Sequence, residues 1–171
     1  IRPNAFDTIV RFQEQGVTVK VISGDNPETV AAIAKKVGIF GAEKFISCAG
    51  ISDEELIAAA EEYAVFGRVT PDQKVLLVKT LREHGHPVAM TGDGVNDTLA
   101  LKESDCSVAM ADGSEVARGV AKIVLMNSDF GSLPEVVKEG RRCINNVRMS
   151  SVLFLMKTVF TVVLSMLSVV T

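Results

Sequence analysis

Apolar positions along this chain switch repeatedly between a helical and an extended period. Ala5, Ile9 and Phe12 recur at i, i+4, i+7, an amphipathic helix that Pro3 or Asn4 starts and Gly16 ends. Val17 to Ile22, rich in β-branched residues and interrupted by Lys20, reads as a strand. Val30, Ile33, Ala34 and Val37 return to helical spacing; Asp25 or Asn26 caps this helix, Pro27 takes its first position and Gly38 ends it. Phe45 to Cys48 reads as a short strand. Ser52 with Glu55 forms a capping box for a helix through Tyr63, whose acidic residues form a solvated face. Thr70, Pro71 and Gln73 start another helix, with Leu77, Val78 and Leu81 on one face. Pro87 to Met90 reads as a buried strand. A short helix follows over Thr98 to Ser104, then a strand over Asp105 to Met110. Ala111 to Ser114 turns into a further helix, Ile123 to Met126 is a last strand, and a helix runs on from Gly131. This alternation predicts an α/β fold, a Rossmann-like, mostly parallel sheet flanked by helices. Ligands in such folds bind beyond the carboxyl ends of the strands.

Ser150 to Thr171 breaks the pattern. It is almost wholly apolar, interrupted by Lys157 and a few hydroxyls, and is about as long as a membrane helix must be. Lys138, Arg141, Arg142 and Arg148 precede it, as expected on the cytoplasmic side of a span. The alternative is a buried core helix. This stretch accounts for most of the high apolar content, 47% of 171 residues. The rest is one ordinary domain by length. The net charge of −3 comes from acidic and basic residues mixed along the chain, which gives no footprint for nucleic acid. Cys48, Cys106 and Cys143 are scattered, without a C-x-x-C pair, and read as small core residues of a protein in a reducing compartment. No signal-peptide pattern, repeat or low-complexity linker is evident.

The chemistry concentrates at Met90-Thr91-Gly92-Asp93-Gly94-Val95-Asn96-Asp97. Gly92 and Gly94 allow a tight turn that holds Asp93 at a strand end, with Asp97 at the next helix start. Two carboxylates there suit a hard cation such as Mg²⁺, which takes one or two carboxylates, waters and a substrate phosphate. The simpler alternative is a glycine turn followed by an aspartate cap. Ser23-Gly24-Asp25 repeats the layout before a helix N-terminus, either as a phosphate cradle or as capping alone. Lys74 shares a helical face with Leu77, Val78 and Leu81, so its ammonium points along the sheet toward the strand ends. There it can neutralise a phosphate, unless it is simply solvated.

T-G-D-G-V-N-D at 91–97 resembles the hinge signature of P-type ATPases, the phospho-enzyme cation pumps of the haloacid dehalogenase-like superfamily. Ser23-Gly24-Asp25 resembles their T-G-D, with serine for threonine. Phe66, Arg68, Pro71 and Lys74 match F-x-R-x-x-P-x-x-K. The resemblance implies Mg²⁺ and ATP as cofactor and substrate. It makes Asp93 and Asp97 metal residues, with Asn96 supporting their shell. Ser23, Gly24 and Lys74 hold phosphoryl oxygens, and Asp25 and Arg68 contact the nucleotide. The family's nucleophile, the aspartate of D-K-T-G-T, is absent from the sequence, and Arg2-Pro3 resembles the tail of D-P-x-R. The chain is therefore expected to be a fragment, inactive alone. Residues 1–140 would be the C-terminal part of the phosphorylation domain, and 141–171 a stalk and the start of a transmembrane helix. The implied setting is a multi-pass cell-membrane protein with residues 1–148 cytoplasmic. The implied partners are ATP, the membrane, the remaining pump domains and a transported cation bound elsewhere. Without the nucleophile's strand, the strand ending at Met90 or at Ile22 should carry an unpaired edge. Thr98-Leu99, where many members have Ala-Pro, points to an atypical, bacterial-looking subgroup. Two alternatives are a soluble phosphatase of the same superfamily and a non-enzymatic receiver-like module.

Overall fold

The structure, a computed structural model, describes residues 4–170. Arg2-Pro3, and with it the helix start at Pro3, lies outside the described residues. The chain divides into two compact units, Ile1–Ser132 and Leu133–Thr171.

The first unit alternates helices and strands as expected. In chain order they are α1 (Ala5–Glu14), β1 (Val21–Ile22), α2 (Pro27–Lys36), β2 (Phe45–Ser47), α3 (Asp53–Glu62), β3 (Val65–Gly67), α4 (Pro71–Glu83) and β4 (Ala89–Thr91). A 3₁₀ turn over Val95–Asp97 leads to α5 (Thr98–Glu103), β5 (Cys106–Met110), α6 (Glu115–Val120) and β6 (Ile123–Leu125). All strand pairs are parallel, in two three-stranded sheets ordered β1-β3-β2 and β4-β5-β6.

Local signals explain the helix starts. Asn26 Oδ1 accepts the Glu28 N–H, so Asn26 and not Asp25 caps α2. Ser52 with Glu55, and Thr70 with Gln73, form the two reciprocal capping boxes. Val30, Ala31 and Ala34 of α2 join Ile9 and Val65 in one core. Ile33, expected on that face, is exposed and Ala31 takes its place, because the buried stripe is rotated by part of a turn. A second core packs Leu56 of α3, Phe66 of β3 and Leu77 of α4 around Cys48. Of the three free cysteines Cys48 alone is fully buried; Cys143 is exposed, contrary to expectation.

The strands depart further from the sequence pattern. β3 was not anticipated, yet it is the central, wholly buried strand of its sheet. β1 covers two residues because pairing with β3 begins where the Val21 N–H meets the Ala64 carbonyl. Lys20, just before it, donates instead to the Glu61 and Tyr63 carbonyls at the end of α3. β4 starts at Ala89 and not at Pro87, which has no N–H to give a ladder. It is not buried either: Ala89 and Thr91 are exposed. Among the described residues β1 pairs only with β3 and β4 only with β5, so both strands have an open edge.

The second unit is one 38-residue helix, α7 (Leu133–Val170), about 57 Å long. It begins after a 3₁₀ turn over Phe130–Ser132, two residues later than expected. The stretch Phe130–Ser168 is long and apolar enough to cross a membrane, and none of its apolar window is buried within the chain. The core-helix reading required that burial. The Thr158 and Thr161 hydroxyls donate to the Phe154 and Lys157 carbonyls one turn back, which satisfies them without water.

Gly67 closes β3 against α2, where a Cβ would come within 2.4 Å of Pro27 Cα. Gly67→Ala should therefore lower unfolding stability by about 1–3 kcal/mol, as overpacking does. A urea titration of the full-length protein measures it, and an unchanged midpoint would mean that α2 is free to shift.

Candidate active site

The loop after β1 is held by the loop after β3. The Arg68 N–H donates to the Asp25 carbonyl at 2.8 Å and the Val69 N–H to the Ser23 carbonyl at 3.0 Å. Arg68 adopts a left-handed backbone with φ 53°, which costs a non-glycine residue about 1–3 kcal/mol. These two hydrogen bonds offset that strain. Within the loop the Asp25 N–H donates to Ser23 Oγ at 3.1 Å, and Ser23 Oγ lies 3.3 Å from Asp25 Oδ2. Because Asn26 already caps α2, capping alone leaves Ser23 and Asp25 unexplained. Ser23, Gly24, Asp25 and Arg68 thus form one group at the carboxyl end of the first sheet, with Gly24, Asp25 and Arg68 exposed.

The loop after β4 forms the second group. Asp97 does not use its side chain to cap α5. It turns back, so that Oδ2 accepts the Gly94 N–H at 3.3 Å and Oδ1 accepts from Lys74 Nζ at 2.6 Å. The simpler reading of Asp97 as a helix cap therefore fails. A Cβ on Gly92 would stand 2.7 Å from Asp97 Cβ, so only glycine lets the carboxylate fold over the turn. Lys74 and Asp97 are 14% and 15% exposed, so their pair is shielded in a way a surface pair is not. Lys74, on the helix that buries Leu77 and Val78, reaches Asp97 in the loop after β4. Asp93 and Asn96 are exposed, and no hydrogen bond of either side chain is found among the described residues. The Asp93 carbonyl accepts the Ser114 N–H at 2.7 Å. Sequence reasoning gave 111–114 only as a turn. Gly113 was its one visible signal.

The far end of the second sheet is tied to α4 as well. Arg82 donates to Asp105 Oδ1 and to both the carbonyl and the carboxylate of Glu103. The Val88 N–H hydrogen bond, and to a lesser degree the Arg82 charge, hold the Asp105 carboxyl below its usual range.

No hydrogen bond or ion pair links the Ser23 group to the Asp93 group among the described residues. Nor do those residues hold a cluster of three His, Cys, Asp or Glu side chains able to cage a metal. Two hard oxygen donors, one of them exposed, fit a cation that keeps most of its waters, as Mg²⁺ does, and not one that needs a full protein cage. Thr98 Oγ1, next to Asp97, is buried without a hydrogen-bond partner among the described residues.

Residues 1–105, well over half of the chain, match the family model of haloacid dehalogenase-like hydrolases. The chain belongs to that family. Its relatives there are P-type cation-transporting ATPases. It is 48% identical over 169 residues to the probable cation-transporting ATPase exp7 of Streptococcus pneumoniae, covering 99% of this chain and 22% of the relative. It is 52% identical over 167 residues to the calcium-transporting ATPase CtpE of Mycolicibacterium smegmatis, covering 98% and 21%. A zinc-transporting PIB-type ATPase in the E2·Pi state superposes with a TM-score of 0.70 at 28% identity, over 87% of this chain and 21% of that one. The catalytic domain of the CPx-ATPase CopB-B gives 0.63 at 29% identity, over 80% and 45%. The chain thus spans about a fifth of the length of the curated relatives it matches. Membership of this hydrolase family sets the receiver-like reading aside. The stretch shared with the cation-transporting ATPases, unlike the family-model match, includes α7, which a soluble phosphatase does not call for.

The orphaned Thr98 hydroxyl is a cost without a visible return. Thr98→Val, which keeps the shape and removes the hydroxyl, should raise unfolding stability by about 1 kcal/mol. Thr98→Ser should not. Calorimetry on both variants separates the cases, and a drop in Thr98→Val would mean that the hydroxyl has a partner such as a bound water.

Proposed function

We propose that this chain is the part of an ATP-driven cation pump that assists Mg²⁺-dependent phosphoryl transfer and leads into the membrane. The observation that carries the proposal is the shielded Lys74–Asp97 pair, whose Asp97 shares the loop after β4 with Asp93. Similarity to cation-transporting ATPases over nearly the whole chain supports it.

In this reading a carboxylate oxygen of an aspartate outside residues 1–171 attacks the γ-phosphorus of ATP, and ADP leaves. Water then attacks the acyl phosphate and frees inorganic phosphate. The open edges of β1 and β4 support a further parallel strand there, carrying that nucleophile. Such chemistry depends chiefly on positioning and charge stabilisation. Ser23 Oγ and the Gly24 N–H donate to phosphoryl oxygens, and Lys74 neutralises their growing charge. Asp25 and Arg68 orient the nucleotide. Asp93 and Asp97 hold Mg²⁺, with Asn96 in support; the bound ion supplies further neutralisation of the phosphates. Residues 141–171 act as stalk and membrane helix, with 1–148 on the cytoplasmic side of the cell membrane. The apolar stretch 150–171 contains no carboxylate. We therefore assign the transported cation's ligands to other helices of the pump. By itself the chain should not turn over ATP.

In the full-length pump, Asp93→Asn should abolish Mg²⁺-dependent phospho-enzyme formation and leave the fold intact, because it removes a ligand charge from a site with few. Acid-quenched labelling from γ-labelled ATP reads this directly; wild-type labelling would remove Asp93 from the metal site. Lys74→Ala should slow phospho-enzyme formation by roughly 10²–10³. Single-turnover kinetics measure that, and a normal rate would leave Lys74 a structural residue only.

A further inference from the structure

The proposed reaction gives no role to the loop between β5 and α6, yet this loop is the most tightly tied segment next to the site. Four consecutive N–H groups are committed. Ala111 donates to the Leu125 carbonyl at 3.0 Å, Gly113 to the Met110 carbonyl at 3.0 Å, and Asp112 to Ser128 Oγ at 3.1 Å. From the other side Arg118 Nη1 donates to the Ala111 carbonyl at 2.6 Å. Three of the N–H groups therefore fix the loop to its own sheet and its flank. The fourth, on Ser114, reaches across to the Asp93 carbonyl at 2.7 Å. Gly113 makes that approach possible, since a Cβ there would lie 3.1 Å from the Cα, Cβ and carbonyl oxygen of Asp93.

Asp93 itself has an exposed side chain that no hydrogen bond holds among the described residues. The place of its carboxylate is thus inherited from its main chain; the Gly92 and Gly94 N–H groups tie the chain on either side, to the Val108 carbonyl and to Asp97 Oδ2, and the grip on Asp93 itself comes from residues 113 and 114. We propose that Gly113 and Ser114 are positioning residues for Asp93, a backbone platform that sets the affinity of the site for its divalent cation. The proposal rests on the reading of Asp93 as a ligand of that cation. Groups that orient metal ligands from behind typically change affinity by about 10–100-fold when removed.

The test uses the full-length pump and two substitutions at one position. Ser114 has φ −60° and ψ 145°, which proline adopts without strain. Ser114→Ala and Ser114→Pro both lose the Oγ cap on the Ala117 N–H, but only proline also loses the N–H that holds Asp93. Mn²⁺, standing in for Mg²⁺, is titrated without ATP and its free fraction is read by electron paramagnetic resonance. The Mg²⁺ and ATP concentrations for half-maximal phospho-enzyme are measured alongside. Ser114→Pro should weaken Mn²⁺ binding by about 10–100-fold and raise the Mg²⁺ midpoint in step, with the ATP midpoint unchanged. Ser114→Ala should stay within about twofold of wild type, as the loss of a distant cap alone predicts. Gly113→Ala should follow Ser114→Pro, and it serves if the proline variant does not fold. Gly119→Ala, where a Cβ meets nothing within 4 Å, should match wild type. Equal Mn²⁺ affinity in wild type, Ser114→Pro and Gly113→Ala overturns the proposal, as does a joint loss of Mn²⁺ and ATP binding. Asp93→Asn separates the two levels. If it loses Mn²⁺ while the platform variants keep it, only the platform fails. If it keeps Mn²⁺, the reading of Asp93 fails, and the platform with it.

Discussion

The short contact between Lys74 Nζ and Asp97 Oδ1 ties the helix that follows the first sheet to the loop that follows the second sheet's β4. Lys74 opens α4, which follows β3 of the first sheet; Asp97 ends the turn that follows β4 of the second. At the other end of α4, Arg82 binds Asp105 and Glu103 at the starts of β5 and α5's exit. The helix is therefore a splint, pinned to the second sheet at both ends and packed on the first through Leu77. The two pins differ in kind. The Arg82 contacts are half exposed and worth little each. The Lys74–Asp97 pair is shielded, so removing either partner strands a charge in a poorly solvated place. On the proposed reading of Lys74, the same shielding would keep the ammonium in position before any phosphate arrives, so that little reorganisation is left for the moment of reaction.

The two loop groups are built on opposite principles. At Ser23 to Asp25 the chain is held by backbone bonds whose geometry demands a strained Arg68. At Asp93 the strain is avoided by omitting side chains: Gly92 clears space for Asp97, and Gly113 for Asp93. Both solutions place an acidic side chain outward on a stiff main chain. An exposed aspartate held this way keeps its freedom to take a ligand, at the cost of depending on whatever holds its backbone.

Much of this was legible in the residues, and the exceptions share a cause. Helix starts are written in side chains, so the capping boxes at Ser52 and Thr70 and the inner face of α4, with Lys74 on it, could be read directly. β3 could not. Its three residues end in glycine and are followed by a left-handed arginine, too short a stretch for any period, and its burial comes from neighbours on both sides. β4 looked buried because it is apolar, but burial of a strand needs a partner on each edge and a cover on each face. The grip of Ser114 on Asp93 was invisible for the plainest reason: a bond between two backbones leaves no trace in either side chain. Asp97 was read as near a helix start, correctly, while the direction of its side chain was set by Lys74, twenty-three residues earlier.

Two surfaces of the chain remain unsatisfied in different ways. α7 exposes Leu153, Phe154, Phe160 and Leu164 and bonds its interior backbone within the helix, so this apolar part asks for an apolar surrounding. β4 is the reverse: three residues, little apolar area, and a row of backbone groups on its open edge. A parallel strand docking there would add hydrogen bonds to Met90 and its neighbours, immediately before Gly92 and Asp93. Any segment that brings a nucleophile to this edge would thereby stiffen the turn that carries Asp93, the carboxylate proposed to hold the cation, whose main chain Ser114 already grips from the other side. Arrival of the nucleophile and ordering of the cation site would then be a single event, because the same short strand supports both.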